Sequence, residues 1–237
     1  MQKQYGFLKK NSLKREYQKK LFEKFGKELA RNNLIGKEGT IIDATIVEAP
    51  IQHNSKDENE QIKNGKIPEQ WQEAKNKAKL SQKDCDARWT KKHKRSYYGY
   101  KDHIKVDKKS KLILKATVTA ANVHDSRELK NLVEREDERL YADSAYIGEE
   151  IDRILKAKGI EGQICERGAR GKPLTKKQKI GNRKKSKIRA RVEHVFGFMI
   201  NSMKGIYVRT IGLARATFSI IMMNLTYNLC RYCYLKK

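Results

Sequence analysis

The run TIIDATIV at residues 40–47 is the stretch on which the fold depends. Apart from Asp43 and Ala44, every residue in it is β-branched, a composition that favours a β-strand. Pro50 follows shortly afterwards and predicts the end of that strand. A carboxylate in the middle of such a strand is costly to bury unless it is paired or bound to a metal ion. Asp43 is therefore the first candidate for a functional residue.

Outward from this strand, the sequence alternates between patterns typical of strands and of helices. Further strands are predicted at 98–106, 112–119, 139–143 and 162–165, of which the first two form an antiparallel hairpin. Helices are predicted at 11–35, from an apparent capping box at 125–128 to residue 135, at 149–158, along the apolar positions 188–203, and at 214–234. Residues 51–88 are polar and predict an insertion that is part mobile and helical near 71–80, whereas 167–185 predicts a basic loop. This order predicts an α/β fold with a mixed sheet flanked by helices.

Positive charge is concentrated in two segments. The chain has 54 Lys and Arg against 28 Asp and Glu, a net charge of +26. Segments 89–111 and 166–191 hold 18 of these 26 excess charges, which is typical of phosphate binding. A solvated lysine-rich surface is the alternative, but aromatic residues interleaved in the first segment favour nucleic acid. The candidate DNA contacts in the two segments are Lys91, Lys92, Lys101, Arg183, Lys184, Lys185 and Lys187.

Other classes of protein are disfavoured. The longest apolar stretch, 218–230, is too short for a membrane span and contains Asn224, Thr226 and Asn228. There is no apolar run typical of a signal peptide. Four cysteines do not form a disulfide framework in a chain of this length, which favours a reducing cytoplasm. Cys230 and Cys233 have the spacing of a zinc-binding pair but lack a second pair of ligands, so we interpret them as core or surface cysteines.

Two more carboxylates have positions comparable to that of Asp43. Asp143 ends the predicted strand 139–143, and the carboxyl ends of strands in α/β sheets are where sites gather. Glu193 lies on the long helix next to its apolar stripe. If the three carboxylates meet at one end of the sheet, they form an oxygen-ligand site suited to Mg²⁺ or Mn²⁺. The alternative is that each acid is a helix cap or a salt-bridge partner.

Five ordered blocks resemble the DDE transposases of bacterial insertion sequences, of the insertion-sequence-5 type. The first-aspartate block is EGTIIDATIVEAP at 38–50, and the glutamate block is RARVEHVFG at 189–197. The other three blocks are RWTKK at 88–92 with YYGYK at 97–101, AANVHDS at 120–126, and YADSAY at 141–146. The resemblance implies an RNase H-like catalytic domain that cuts and joins DNA at transposon ends.

The resemblance also implies roles for the three acids. Asp43, Asp143 and Glu193 are expected to be the catalytic and metal-binding triad, with Asp43 bridging two Mg²⁺ (or Mn²⁺) ions. The expected substrate is double-stranded DNA, bound by a homodimer in the bacterial nucleoid. Water is expected to be the first nucleophile, and the 3′-OH that it frees is expected to be the second.

Near the glutamate, one residue agrees with a DNA-binding role and another departs from the family pattern. Arg189 lies one helical turn before Glu193, where it is expected to clamp a phosphate or, alternatively, to form a salt bridge with Glu193. The family usually has a lysine seven residues after the glutamate, where this chain has Ile200. Lys204, about one turn further along the helix, is the candidate replacement and DNA contact.

The interpretation divides the chain into three parts. These are an N-terminal helical lead-in (1–37), an RNase H-like DDE catalytic domain (38–205) that contains the polar insertion 51–88, and a C-terminal helix packed on that domain (206–237). Family members normally carry a further DNA-binding region ahead of residue 1, so we expect a truncated copy or part of an interrupted reading frame. The sequence leaves open an inactive remnant that only binds DNA, and a different RNase H-like nuclease.

Overall fold

A computed structural model describes residues 2–36 and 38–236, with side chains in that range except those of residues 2–16 and 77. The helices are α1 (Gln2–Arg31), α2 (Lys56–Lys63), α3 (Glu69–Gln72), α4 (Lys77–Gln82), α5 (Leu129–Leu132), α6 (Glu149–Lys158), α7 (Lys176–Asn201) and α8 (Leu213–Leu235). The strands are β1 (Thr40–Glu48), β2 (Arg88–Lys92), β3 (Arg95–Asp107), β4 (Ile113–Ala120), β5 (Arg139–Ala142) and β6 (Glu161–Ile164). Short 3₁₀ turns are formed by Ala74–Asn76, Asp125–Glu128 and Ser144–Tyr146.

The six strands form one mixed sheet in which β1 is central. β1 pairs antiparallel with β3 on one side and parallel with β5 on the other, and β6 continues the parallel half. β4 pairs antiparallel with β3, which confirms the predicted hairpin. The first five residues of β3 also pair with β2, a strand that the sequence did not predict. It was missed because RWTKK has no alternation of apolar and polar residues.

Helices cover both faces of this sheet, as the α/β prediction requires. On one face, α7 and α8 bury residues such as Val192, Val195 and Leu225 against Ile41 and Ile104 of the sheet. α1 packs on α8 on that same side of the molecule, with Phe22 joining this core. On the other face, α5 and α6 pack on β5, β6 and the opposite side of β1. The residues of that second core are Ile42, Leu129, Leu132, Leu140, Ile151 and Leu155, with others around them.

The insertion after β1 folds as three short helices around one tryptophan. The predicted helix near 71–80 is split into α3 and α4 by the 3₁₀ turn between them. Trp71 is fully buried, and its indole Nε1 donates a hydrogen bond to Glu58 Oε1 at 2.6 Å. Lys79 Nζ lies 2.6 Å from the same carboxylate oxygen. This small polar cluster holds the insertion together, because the carboxylate of Glu58 on α2 binds one donor from α3 and one from α4.

Three predicted boundaries were wrong. α1 ends at Arg31 rather than at residue 35, because the chain turns at Asn33, where φ is 55°. The helix predicted to run to residue 135 ends at Leu132, after a 3₁₀ turn. The segment 167–185 is a loop only in its first half. α7 begins at Lys176 after a capping box of Thr175 and Gln178, which satisfies its first N–H groups.

The boundaries that place the candidate site were confirmed. The first strand extends over Thr40–Glu48, and β5 ends at Ala142, one residue before Asp143. α6 spans Glu149–Lys158 and ends at Gly159, whose φ of 71° is the left-handed conformation that glycine adopts most easily. Within the described residues, no helix combines the length and the apolar character that a membrane span requires.

Candidate active site

Asp43 and Asp143 lie side by side on neighbouring parallel strands. In the parallel pairing of β1 with β5, Ile41 is opposite Tyr141, so the two aspartates come at the same level two residues later. Asp143 directly follows the end of β5, and its Oδ1 accepts a hydrogen bond from the N–H of Ala145 at 2.8 Å. The sheet therefore brings together two acids that are 100 residues apart in the sequence.

The carboxylate of Asp43 is held by two donors in a largely buried position. Its Oδ1 accepts a hydrogen bond from the N–H of Ala44 at 2.8 Å, and its Oδ2 lies 2.7 Å from Nη1 of Arg189. Burial nevertheless raises the pKa of Asp43 to about 6, although the Ala44 N–H and the Arg189 charge oppose the shift; the charge of Asp143 raises it further. Burial therefore outweighs the guanidinium in setting the protonation of Asp43.

Glu193 is linked to Asp43 by Arg189, which forms an ion pair with each of them. Arg189 and Glu193 lie one turn apart on α7, and Nη2 of Arg189 is 3.3 Å from Oε1 of Glu193. The side chain of Glu193 is 60% exposed, whereas that of Asp43 is 16% exposed. The salt bridge considered as an alternative for Arg189 is the arrangement observed. Its guanidinium bridges the first aspartate and the glutamate, so a cation already separates these two acids.

The donor chemistry of the three acids fits a divalent metal ion. In the part of the chain that the structure describes, no group of three His, Cys, Asp or Glu side chains is arranged closely enough to hold a metal ion. Asp43 and Glu193 instead both form ion pairs with Arg189, whose positive charge compensates their negative charges. The three side chains offer only carboxylate oxygens, the ligands that Mg²⁺ and Mn²⁺ prefer.

A largely buried ion pair between Lys101 and Asp125 was not predicted from the sequence. Lys101, a predicted DNA contact, lies 2.7 Å from Asp125 and donates a hydrogen bond to the carbonyl of Val123 at 2.8 Å. Its side chain is only 14% exposed, so its ammonium group is engaged within the fold. The 3₁₀ turn Asp125–Glu128 is capped by His124 and not by Asp125, which pairs with Lys101. The predicted capping box was therefore wrong.

Tyr146, three residues after Asp143, is also buried and is influenced by the charges of the acids. It is 1% exposed, and within the described atoms its hydroxyl has no hydrogen-bond partner. Burial raises the pKa of Tyr146 well above its usual range, and the charges of Asp125, Asp43 and Asp143 add to the shift. The only signal in the sequence was the position of this tyrosine three residues after the second aspartate.

The other predicted DNA contacts are divided between exposed and engaged positions. Lys91 and Lys92 are exposed on the β2–β3 hairpin, which comprises residues 88–99 and is called the basic hairpin below. Three candidates on α7 are also exposed; they are Arg183, Lys184 and Lys187. Lys185, however, donates a hydrogen bond to the carbonyl of Ile164 at 2.8 Å.

The candidate replacement for the family's lysine is not on the helix. α7 ends at Asn201, and Lys204 follows it in a left-handed conformation with φ of 51°. The helical spacing that placed Lys204 one turn beyond position 200 is therefore wrong. Ile200 is on the last turn of α7 and is 51% exposed, so the position of the missing lysine faces solvent.

The sheet order, the two aspartates at one level and the glutamate on the helix that crosses them define an RNase H-like enzyme of the DDE class. The family model of the transposase DDE domain matches residues 35–229, and the chain belongs to that family. No solved structure matches the chain. Membership makes it a transposase-class enzyme with a DNA substrate, in a family that typically uses divalent metal ions.

Proposed function

We propose that this chain is the transposase of an insertion sequence, cleaving DNA at the inverted-repeat ends of the element and joining them to target DNA. The observation that carries the proposal is the cation-bridged pair of Asp43 and Glu193, with Asp143 beside Asp43 on the neighbouring strand. Carboxylates gathered at one end of a sheet are suited to holding metal ions against a phosphodiester.

In this proposal, Asp43, Asp143 and Glu193 would hold two divalent ions, Mg²⁺ or Mn²⁺. When bound, such ions would supply activation of the nucleophile and neutralisation of the charge on the leaving oxygen. In the first step, water attacks the phosphorus and the bond to the 3′ oxygen breaks, leaving a free 3′-OH. In the second step, that 3′-OH attacks a phosphodiester of target DNA, so one phosphorus–oxygen bond replaces another.

Arg189 has two successive roles in this proposal. In the arrangement observed, it balances the charges of Asp43 and Glu193 and keeps the two carboxylates together. With divalent ions bound to the acids, the guanidinium would be free to contact a phosphate of the DNA in a bidentate manner. Arg189 therefore preorganises the acids and then orients the substrate, without itself exchanging a proton.

The DNA path in this proposal follows the exposed cations near the acids. Arg183, Lys184 and Lys187 lie on the part of α7 that leads to Arg189, and the basic hairpin lies on another side of the site. Two copies of the chain acting on the two ends of the element make the functional unit a homodimer. The element is of the insertion-sequence-5 type, and Lys204 is an additional DNA contact.

The proposal is tested with a duplex that carries one inverted-repeat end flanking the gene, incubated with protein and Mg²⁺ or Mn²⁺. Asp43→Asn, Asp143→Asn and Glu193→Gln should each abolish strand cleavage and reduce Mn²⁺ binding measured by calorimetry, because metal ligands act as a unit. The matched control is Glu149→Gln, an exposed acid in the first turn of α6, which should cleave normally.

The assay also separates the competing interpretations. A variant of the triad that retains near-normal metal-dependent cleavage removes that residue from the site. A wild-type protein that binds the duplex but does not cleave it with either metal identifies an inactive DNA-binding remnant. Cleavage without joining to target DNA identifies a different RNase H-like nuclease.

A further inference from the structure

The basic hairpin has the shape and charge of a nucleic-acid-reading element. Its tip is formed by KKHKR at 91–95, five consecutive residues that carry basic side chains, and all five are exposed. Its strands pair in unbroken register from Arg88 opposite Gly99 to Lys92 opposite Arg95. Each strand contributes five residues, so the ribbon is about 17 Å long at the usual rise of a strand.

Aromatic contacts keep this ribbon in a defined shape. Trp89 and Tyr98 face each other across the two strands, with ring centroids 5.2 Å apart. Tyr98 is buried, which fixes the base of the ribbon to the protein core. The guanidinium of Arg95 lies over the ring of Tyr97 at 5.1 Å, so its planar group is held in place near the tip.

The two-residue turn at the tip contains two basic residues, His93 and Lys94, in a backbone conformation that favours asparagine and glycine. His93 and Lys94 have φ angles of 48° and 66°, the left-handed conformation at both central positions of a two-residue turn. Such turns strongly prefer Asn-Gly, because residues with a large side chain are strained there. Among the described residues, neither side chain has a hydrogen-bond or ion-pair partner that would explain its presence. The strain therefore points to a role outside the fold of the protein itself.

The ribbon is continuous with the sheet through β3, which pairs with β1, the strand that carries Asp43. β3 runs from the tip to its pairing with β1, where Ile104 is opposite Asp43 and Gly99 is opposite Glu48. At Gly99 the strands approach so closely that a Cβ atom would lie 2.2 Å from the carbonyl oxygen of Val47, and φ is 150°. The ribbon thus leaves the sheet at the end of β1, the edge towards which both aspartates lie.

The two faces of the ribbon carry different side chains. Side chains alternate along a strand, so Lys92 and its partner Arg95 share one face, whereas Lys91 is on the other face together with Trp89 and Tyr98. Burial does not separate the two faces, because Trp89 is 50% exposed. Lys91, Lys92 and Arg95 are all exposed, so both faces of the ribbon are open to a partner near the tip.

We infer that the basic hairpin enters the major groove of duplex DNA beside the cleaved phosphate, with the exposed Lys91, Lys92 and Arg95 contacting the DNA. This inference rests on the proposed function. The major groove of B-DNA is about 12 Å wide and admits a two-stranded β-ribbon. The fixed guanidinium of Arg95 suits bidentate contact with a guanine edge or a phosphate, and the turn places two more basic side chains at the floor of the groove.

The first test compares single and paired alanine variants in fluorescence anisotropy with the end duplex. Lys92→Ala with Arg95→Ala should weaken binding by at least about tenfold at about 0.1 M salt and reduce the slope of log affinity against log salt by up to about 1.8. Lys156→Ala, which removes an exposed lysine of α6, is the matched control and should change affinity by less than about twofold. A paired variant that binds the duplex as tightly as Lys156→Ala would overturn the inference.

The second test separates the role of the turn in binding from its role in folding. His93→Asn with Lys94→Gly relieves the strained turn, so thermal stability should stay equal or rise while affinity for the duplex falls several-fold. A variant that is more stable and binds DNA as tightly as the wild type contradicts the inference. Guanines next to the cleavage position should be protected from methylation at N7, a major-groove atom, by the wild type and not by the Lys92 and Arg95 variant. Absence of that protection in a wild-type complex also overturns it.

The outcomes distinguish this inference from the proposed function. If the duplex is cleaved in an Asp43-dependent manner but the basic hairpin variants bind and protect like the wild type, only the inference fails. If no cleavage occurs but N7 protection depends on Lys92 and Arg95, the proposed activity fails and the groove contact remains. Circular dichroism of each variant establishes that it is folded before either conclusion is drawn.

Discussion

Replacing Asp102 with asparagine should make this protein more stable at neutral and alkaline pH. Asp102 lies on β3 and is fully buried. Its Oδ1 accepts a hydrogen bond from Nδ2 of Asn224 on α8 at 3.1 Å. Within the described atoms, Oδ2 of Asp102 and Oδ1 of Asn224 are buried without partners. Burial raises the pKa of Asp102 to about 7, and the hydrogen bond from Asn224 opposes the shift only in part.

The size of the effect follows from that pKa. A carboxyl group that titrates near 7 in the folded state and near 3.8 in the unfolded state differs by about 3 pKa units, or about 4 kcal/mol. Since the folded state holds the proton more tightly, this stability is present below about pH 4 and is lost as the pH rises towards 7. Asparagine is neutral throughout, so Asp102→Asn should gain up to about 4 kcal/mol at pH 8 and almost nothing near pH 4. At pH 8 this corresponds to a rise in Tm of about 8–16 °C.

The assay is urea unfolding of wild type and variant between pH 4 and 8, monitored by tryptophan fluorescence. The difference between the two proteins at each pH isolates Asp102. Asp43, with its pKa raised to about 6, and His103, with its pKa lowered to about 4 mainly by burial, titrate in both proteins. A difference that does not grow between pH 4 and 7 would refute the reasoning.

A second buried aspartate provides the matched control. The carboxylate of Asp107, which is 1% exposed, accepts hydrogen bonds from the N–H groups of Gly36, Lys109 and Ser110 and from the hydroxyl of Ser110. An amide nitrogen cannot accept these bonds, so Asp107→Asn should destabilise the protein by about 1–3 kcal/mol. Two buried aspartates with opposite responses to the same substitution show that satisfied acceptors, and not burial alone, decide the sign.

Two further predictions concern DNA affinity. Replacing Arg183, Lys184 and Lys187 together with alanine should reduce the slope of log affinity against log salt by up to about 2.7, as three lost phosphate contacts require; an unchanged slope would place the DNA path elsewhere. Ile200→Lys should strengthen binding to cleaved ends by about 1–3 kcal/mol, because position 200 is exposed and about 10 Å along α7 from the glutamate. Lys204→Ala should weaken it, and a silent Lys204→Ala would show that this lysine does not replace the missing one.

Local signals in the sequence identified most elements that build the site. The strand 40–47 and the helix Glu149–Lys158 followed by Gly159 were predictable, because β-branched runs and a C-terminal glycine act on the backbone within a few residues. The apolar stripe of α7 likewise placed Glu193 beside a buried face. The same signals failed for β2 and for the start of α7. There, lysine-rich segments carry no apolar period, and pairing or a capping box decides the structure.

The sequence by itself determined most strands of the sheet and its flanking helices, and it predicted three acids as one constellation. Only the tertiary structure decided what surrounds those acids. Arg189 meets Asp43 across 146 positions of sequence, and Lys101 is withdrawn from the surface by Asp125. The direction of the basic hairpin also depends on the close approach of strands at Gly99. These features depend on which distant groups the packed sheet brings within hydrogen-bonding distance. Local backbone preference carries no information about such contacts, because their energy appears only after the chain has folded.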